Sequence, residues 1–292
     1  MSNYEIFVDS TTDLAADMAE QLGLHVIPYI YTLDGKDYHN YLDYRELSVQ
    51  DFYNALRAEK TASTTQVTAH RYLEAWRPFL EDGKDVVYMC LSSMLSKSYE
   101  QSLLAAREAE ESFPGRRVIA IDSKSASLGQ GLLAVMAARA RDAGKTRDEL
   151  AAYIEGLVPK IQHWIMADDL HHLKRGGRIS GAKAVIGTML NVKPVLTIGT
   201  SGKLAPVSKA RGRNKALALF LEQLEKYKYD GGTVCIAHSD VPELAAQFKE
   251  MLAEKGVTDV ITNEIGPVIG AHTGPGTIAL VFAGEGAREN VD

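Results

Sequence analysis

The chain has 292 residues, 46% hydrophobic and 24% charged, enough for two domains with ample cores and no need of disulfide or metal staples. Its net charge of −6, from 32 basic and 38 acidic residues, argues against nucleic acid or an anionic membrane as the main partner. No basic stretch followed by a long apolar core opens the chain, and no run approaches the ~20 apolar residues of a membrane span, so a cytoplasmic location without stable membrane insertion is expected.

In chain order, "YEIFVDS" reads as a strand and "TTDLAADMAEQLG" as a helix, with Leu14, Met18 and Leu22 on one face and Gly23 as its stop. "LHVIPYIYTL" is a strand candidate that Pro28 makes an edge or irregular one, ending at the Asp34-Gly35 turn. Ser48 and Asp51 cap a helix over "SVQDFYNALRAE". The polar segment "KTASTTQVTAHR" leads into a helix through Trp76. The strand "DVVYMCL", its helix, the strand "RRVIAIDS" and the helix "SLGQGLLAVMAARARDAG" follow, and a Thr146/Glu149 capping box opens a helix to about Gln162. Beyond "HWIMADDLHHLKRGGRISG" come a helix near "AKAVIGTMLN", the strand "KPVLTIG", the turn "TSGK" and the strand "LAPVSKA". A helix through Tyr227, "TVCIAHS", another helix, "DVITNEIG" and "GTIALVFAG" complete the chain. This alternation predicts two α/β domains, 1–160 with a mostly parallel sheet flanked by helices and 161–292 with a mixed α/β arrangement. Cys90 and Cys235 lie in apolar runs and read as buried thiols of a reducing compartment.

Three segments, "VDSTTD", "TASTTQVT" and "LSSMLSKSYEQS", have the address of a ligand site, beyond strands and at helix N-termini. All are rich in Ser and Thr and poor in Lys and Arg. Capping accounts for one hydroxyl per helix, yet each loop supplies several. No P-loop or dinucleotide fingerprint is present, and "LGQGLLAV" lacks the third glycine. No histidine cluster suits a metal, since His171 and His172 are adjacent and point apart on a helix. His272 precedes Thr273-Gly274-Pro275-Gly276, residues of a tight, exposed turn, where a histidine is not expected in a core. Lys174, Arg175 and Arg178 surround Gly176-Gly177, either as a solvated basic loop or as a docking or phosphate-facing surface.

Seven motifs in order resemble the DegV family of fatty-acid-binding proteins, which includes the FakB binding subunits of bacterial fatty acid kinase. They are "DSTTDL", "TTQVT", "LSSMLSKSYEQSLLAA", "DSKSASLGQGLL", "LHHLKRGGRISGAKAVIGTMLNVKPVL", "GKLAPVSKARG" and "HTGPGTIAL". The resemblance implies a long-chain fatty acid such as palmitate bound between two domains, with no other cofactor. It implies that Thr64, Thr65, Ser93 and His272 surround the carboxylate, and that Arg211 engages a separate ATP-binding kinase. The chain would then be a carrier for phospholipid synthesis, not itself an enzyme. Lys97 departs from the family pattern, which has glycine there, and Val67 replaces a proline. Two other readings stay open: a small-molecule enzyme or ketone-binding protein using His272, and a lipid-sensing module without a kinase. Apolar residues such as Ile186, Met189 and Leu190 suit either a ligand pocket or plain core.

Overall fold

The computed structural model describes residues 3–168, 170–179 and 191–291. The expected helix over 182–191, with Ile186, Met189 and Leu190, lies outside the described residues except for Asn191.

The first strand, β1 (Tyr4–Asp9), is followed by a single 3-10 turn (Ser10–Thr12) and the short helix α1 (Ala16–Gln21). The stretch read as one strand is two, β2 (Leu24–Ile27) and β3 (Tyr29–Leu33). Pro28 has no N–H to continue a ladder, and the chain changes sheets there. A strand not expected, β4 (Lys36–Asn40), pairs with β3 through the Asp34-Gly35 hairpin. Helix α2 (Val49–Arg57) is capped as predicted, the Asp51 N–H donating to the Ser48 hydroxyl.

The polar segment ahead of the Trp76 helix holds another unexpected strand, β5 (Ala62–Thr65), before α3 (Ala69–Glu81). Then come β6 (Asp85–Cys90), α4 (Ser98–Ser112), β7 (Val118–Asp122), α5 (Leu128–Asp142) and α6 (Arg147–Leu157). The Thr146/Glu149 capping box opens α6 as expected. Helix α6 stops at Leu157 rather than near Gln162. Pro159, in a 3-10 turn, separates it from β8 (Ile161–Met166), which the sequence reading had missed.

After β8 the described elements are α7 (His171–Gly176), β9 (Val192–Ile198), β10 (Leu204–Arg211), α8 (Arg213–Lys226) and β11 (Val234–His238). The chain finishes with α9 (Pro242–Glu254), β12 (Val260–Glu264), α10 (Pro267–Thr273) and β13 (Ile278–Ala283).

The described strands form three sheets: a parallel one ordered β2-β1-β6-β7, a mixed one ordered β10-β9-β8-β13-β11-β12, and an antiparallel one ordered β4-β3-β5. Helix α5 lies between the two large sheets and contacts strands of both. It is buried around nearly its whole circumference, as a helix apolar on every face should be. Its glycines serve that packing: a Cβ on Gly131 would sit 2.8 Å from the Thr12 carbonyl oxygen. Cys90 and Cys235 are buried, free thiols.

The "DSTT" loop is consumed by the fold. Asp9 accepts from Tyr88 Oη at 2.9 Å, from Leu91 N at 3.2 Å and from Thr11 N at 3.0 Å. Ser10 Oγ accepts from Tyr29 N and Asn40 Nδ2, fixing the small sheet to the end of β1. Asp13 then reaches across the molecule. Its Oδ1 accepts from Gly266 N at 2.9 Å, and its carbonyl accepts from Asn263 Nδ2 at 2.8 Å.

Burial raises the Asp13 pKa to about 7, against the opposing effects of the Ser127 hydroxyl and the Gly266 N–H. Between its ordinary value and 7 the folded state therefore holds a proton that the unfolded chain releases. Stability from this group falls as pH rises through that window. Asp13→Asn removes the ionisation while retaining an acceptor for Gly266. It should raise the urea midpoint at pH 8, by up to about 4 kcal/mol of stability, with the gain vanishing near pH 4. A gain equal at both pH values would show that ionisation is not its source.

Candidate functional site

A cavity enclosing about 290 Å³ lies between the lobes. The mixed sheet supplies one wall through His163 and Ile165 of β8, Ile198 of β9, Ala237 of β11, and Ala279 and Val281 of β13. Leu91, Leu95, Ala126, Leu173, Leu204, Val268 and Ile269 add apolar surface. Polar groups gather at Thr64, Gln66, Ser96, Lys97, Arg178 and His272. An apolar chamber with a few convergent polar groups is the usual form of a small-molecule site.

His272 is set by packing. It stands on the last turn of α10, half-buried, and not in an exposed turn as expected. That helix is short, begins at Gly266-Pro267 and contains Gly270, so its composition disguises it. A Cβ on Gly176 would lie 2.3 Å from His272 Nδ1, so α7 can approach α10 only with glycine there. Two further contacts repeat the device. Gly274 abuts the His172 ring and Gly276 abuts the Asp168 carboxylate, both with positive φ. Asp168 is in turn held by Lys193 Nζ at 2.8 Å and Arg213 Nη2 at 2.7 Å. Burial raises its pKa, but these two cations outweigh burial and leave it below the usual carboxylate range.

The His272 ring meets Thr64 Oγ1 through Nε2 at 2.8 Å. Burial, and then the Arg178 guanidinium, lower its pKa to about 4, so the ring is neutral at physiological pH. Thr65, also on the wall, is exposed at the end of β5, with Oγ1 3.4 Å from the Ile30 carbonyl oxygen. Thr64 and Thr65 therefore come from the antiparallel sheet. The three hydroxyl-rich segments do not lie at the end of one sheet: only the first and third follow strands of the parallel sheet.

Ser93 is not on the cavity wall. Its hydroxyl donates to Asp122 Oδ2 at 2.6 Å and its N–H to Asp122 Oδ1 at 3.1 Å. Its neighbour Ser92 crosses the lobes, donating to the Gly202 carbonyl at 2.8 Å in the "TSGK" turn. Ser98 Oγ accepts from Val67 N at 3.0 Å, which ties "TTQV" to the start of α4. Lys97 is exposed at the mouth and pairs with Glu100 at 2.6 Å.

Of the basic residues, Arg178 borders the cavity and donates to the Leu95 and Gly176 carbonyls. Lys174 and Arg175 are exposed on α7, and Arg211 is exposed at the end of β10. Sequence reasoning missed His163 on the cavity wall, because the strand that carries it was not recognised. Among the described residues, no cluster of His, Cys, Asp or Glu could hold a metal, and no helix is long and apolar enough to cross a membrane.

This geometry defines a two-lobed α/β protein with a largely apolar chamber lined by both lobes. Residues 3–285 match the DegV family model, and the chain belongs to the DegV family. It is 39% identical over 288 residues to the DegV domain-containing protein CPE0026 of Clostridium perfringens, covering 98% of this chain and 99% of that one. Its fold matches a fatty-acid-binding DegV family protein from Thermus thermophilus, with a TM-score of 0.86 and 30% identity over 96% of this chain and 99% of that one. It also matches DegV, a fatty acid binding protein from Bacillus subtilis, with a TM-score of 0.83 and 27% identity over 98% and 100% of the two chains.

Arg178→Gln should raise the His272 midpoint above its wild-type value near 4, as followed by histidine ring NMR. A wild-type ring titrating near 6.5 would contradict its burial.

Proposed function

We propose that this protein binds a long-chain fatty acid such as palmitate between two lobes, 1–160 and 161–292, and presents its carboxylate to a separate ATP-binding kinase in the cytoplasm. The observation that carries this reading is the chamber itself, mostly apolar along the large sheet and polar where Thr64 meets His272. The fatty-acid binding of the similar Thermus thermophilus and Bacillus subtilis proteins supports it.

The tail supplies most of the affinity. A sixteen-carbon chain buries about fifteen methylene-type groups at ~0.8 kcal/mol each, before ordering costs. A hydrogen bond to the charged head adds about 1.5–3 kcal/mol. A neutral His272 that donates through Nε2 to Thr64 Oγ1 leaves the Thr64 proton free for the carboxylate. Thr64 then binds the head and His272 positions Thr64, with Thr65 beside the mouth. Ser93 acts through Asp122 to shape its loop. Hydroxyl donors orient the carboxylate without the charge neutralisation of an arginine fork, so its oxygen keeps its nucleophilicity toward a phosphoryl group. An acyl phosphate for phospholipid synthesis would be the product. Lys174, Arg175 and Arg211 are the surface cations assigned to the kinase contact.

Native mass spectrometry of protein purified from cells should find a C14–C18 acid bound. A protein that stays empty and ignores added palmitate overturns the reading. Thr64→Val should slow acyl-phosphate formation by kinase and ATP at least tenfold, with less than a tenfold rise in the palmitate Kd. Ser93→Ala should do less. The Lys174→Ala/Arg175→Ala pair should impair coupling to the kinase and leave lipid binding intact.

A further inference from the structure

The wall of the chamber is not uniformly apolar along its length. Thr277, Ala279 and Val281 line it on alternate residues, as side chains on one face of a sheet do. In the neighbouring strand Ile165 pairs with Ala279 and His163 with Val281. His163 therefore stands roughly 13 Å along the sheet from Thr277, at ~3.3 Å per residue, beside Val281 and with Ile165 two residues along its own strand. This is the end remote from Thr64 and His272.

His163 is 1% exposed, and neither ring nitrogen has a hydrogen-bond partner. The Ile161 carbonyl faces the ring and favours its protonated form, without meeting the geometry of a full hydrogen bond. Burial, and then the Arg288 guanidinium, push its pKa well below the usual histidine range, so the ring is neutral and offers one donor and one acceptor. Its position is enforced by Gly129, where a Cβ would lie 2.0 Å from Nε2. The other lobe contributes Ser127 to the same wall. It is 8% exposed, and its hydroxyl faces the Asp13 carboxyl, whose pKa it lowers.

Buried polar groups in native proteins are paired, and a site that pairs them with its ligand rejects an analogue lacking the matching group. A plain alkyl tail satisfies neither side chain. Building on the fatty-acid reading above, we infer that the far end of the chamber recognises a hydroxyl or oxo oxygen on the distal half of a long-chain acid, with His163 as the principal contact and Ser127 as the second.

The test is a competition assay on delipidated protein with stearate, 10- and 12-hydroxystearate, and 12-oxostearate. The wild type should bind at least one oxygenated acid tenfold or more tighter than stearate. His163→Leu should reverse that preference, His163→Gln should retain part of it, and Ser127→Ala should reduce it. Equal or tighter binding of stearate by the wild type overturns the inference. So does a preference unchanged in both His163→Leu and Ser127→Ala, and Ser127→Ala decides alone if the leucine variant does not fold. Binding of stearate without that preference leaves the carrier reading standing, whereas failure of every acid to bind removes both.

Discussion

The absence of a side chain at Gly176 is the constraint on which the site depends. It lets α7 close onto His272, and the paired contacts of Gly274 with His172 and Gly276 with Asp168 lock the same two segments together. Two glycine-rich motifs about a hundred residues apart in sequence thus form one interlocked unit. Without it, nothing would hold the His272 ring against Thr64, and the polar end of the chamber would lose its geometry.

The electrostatics around that unit follow from burial more than from counter-ions. His272 and Asp13 are both kept neutral by desolvation at pH values where their free forms would carry charge. Their effects on stability oppose one another. The histidine contributes more as pH rises from about 4 toward its ordinary value, and the carboxyl contributes less over much of the same interval. Arg178 is the cation nearest to His272 that affects its titration, and it lies at the rim.

Much of the fold was legible because local signals agreed with the tertiary result. The Ser48 and Thr146 caps, the apolar periods of the long helices and the alternation of strands with helices all have local causes. The errors arose where a distant partner decided the outcome. Pro28 divides a continuous apolar run between two sheets. The threonines of β5 look like a loop until β3 is placed beside them. The Ser93 hydroxyl donates to Asp122 at the end of β7, a partner that its local sequence does not announce. The Thr64 segment and His272, over two hundred residues apart, stand out separately in the sequence, but only the family resemblance joins them in one site, since no spacing relates them. His163, which as an isolated histidine suggests a surface or capping role, is instead buried on β8, a strand that the sequence does not announce after Pro159.

The bonds between the lobes also bear on how a ligand enters and leaves. Ser92 is tied to Gly202, Asp13 to Gly266 and Asn263, and Tyr53 to the Ile265 carbonyl and Ser239. Separating the lobes as rigid halves would expose or orphan all of these buried groups together, at about 1–3 kcal/mol for each one left unpaired. Displacing the rim around Lys97 and Arg178 breaks fewer and more exposed contacts. On the fatty-acid reading proposed above, ligand exchange would pass through a local door in a closed frame, and its rate could be tuned at the rim without loosening the frame.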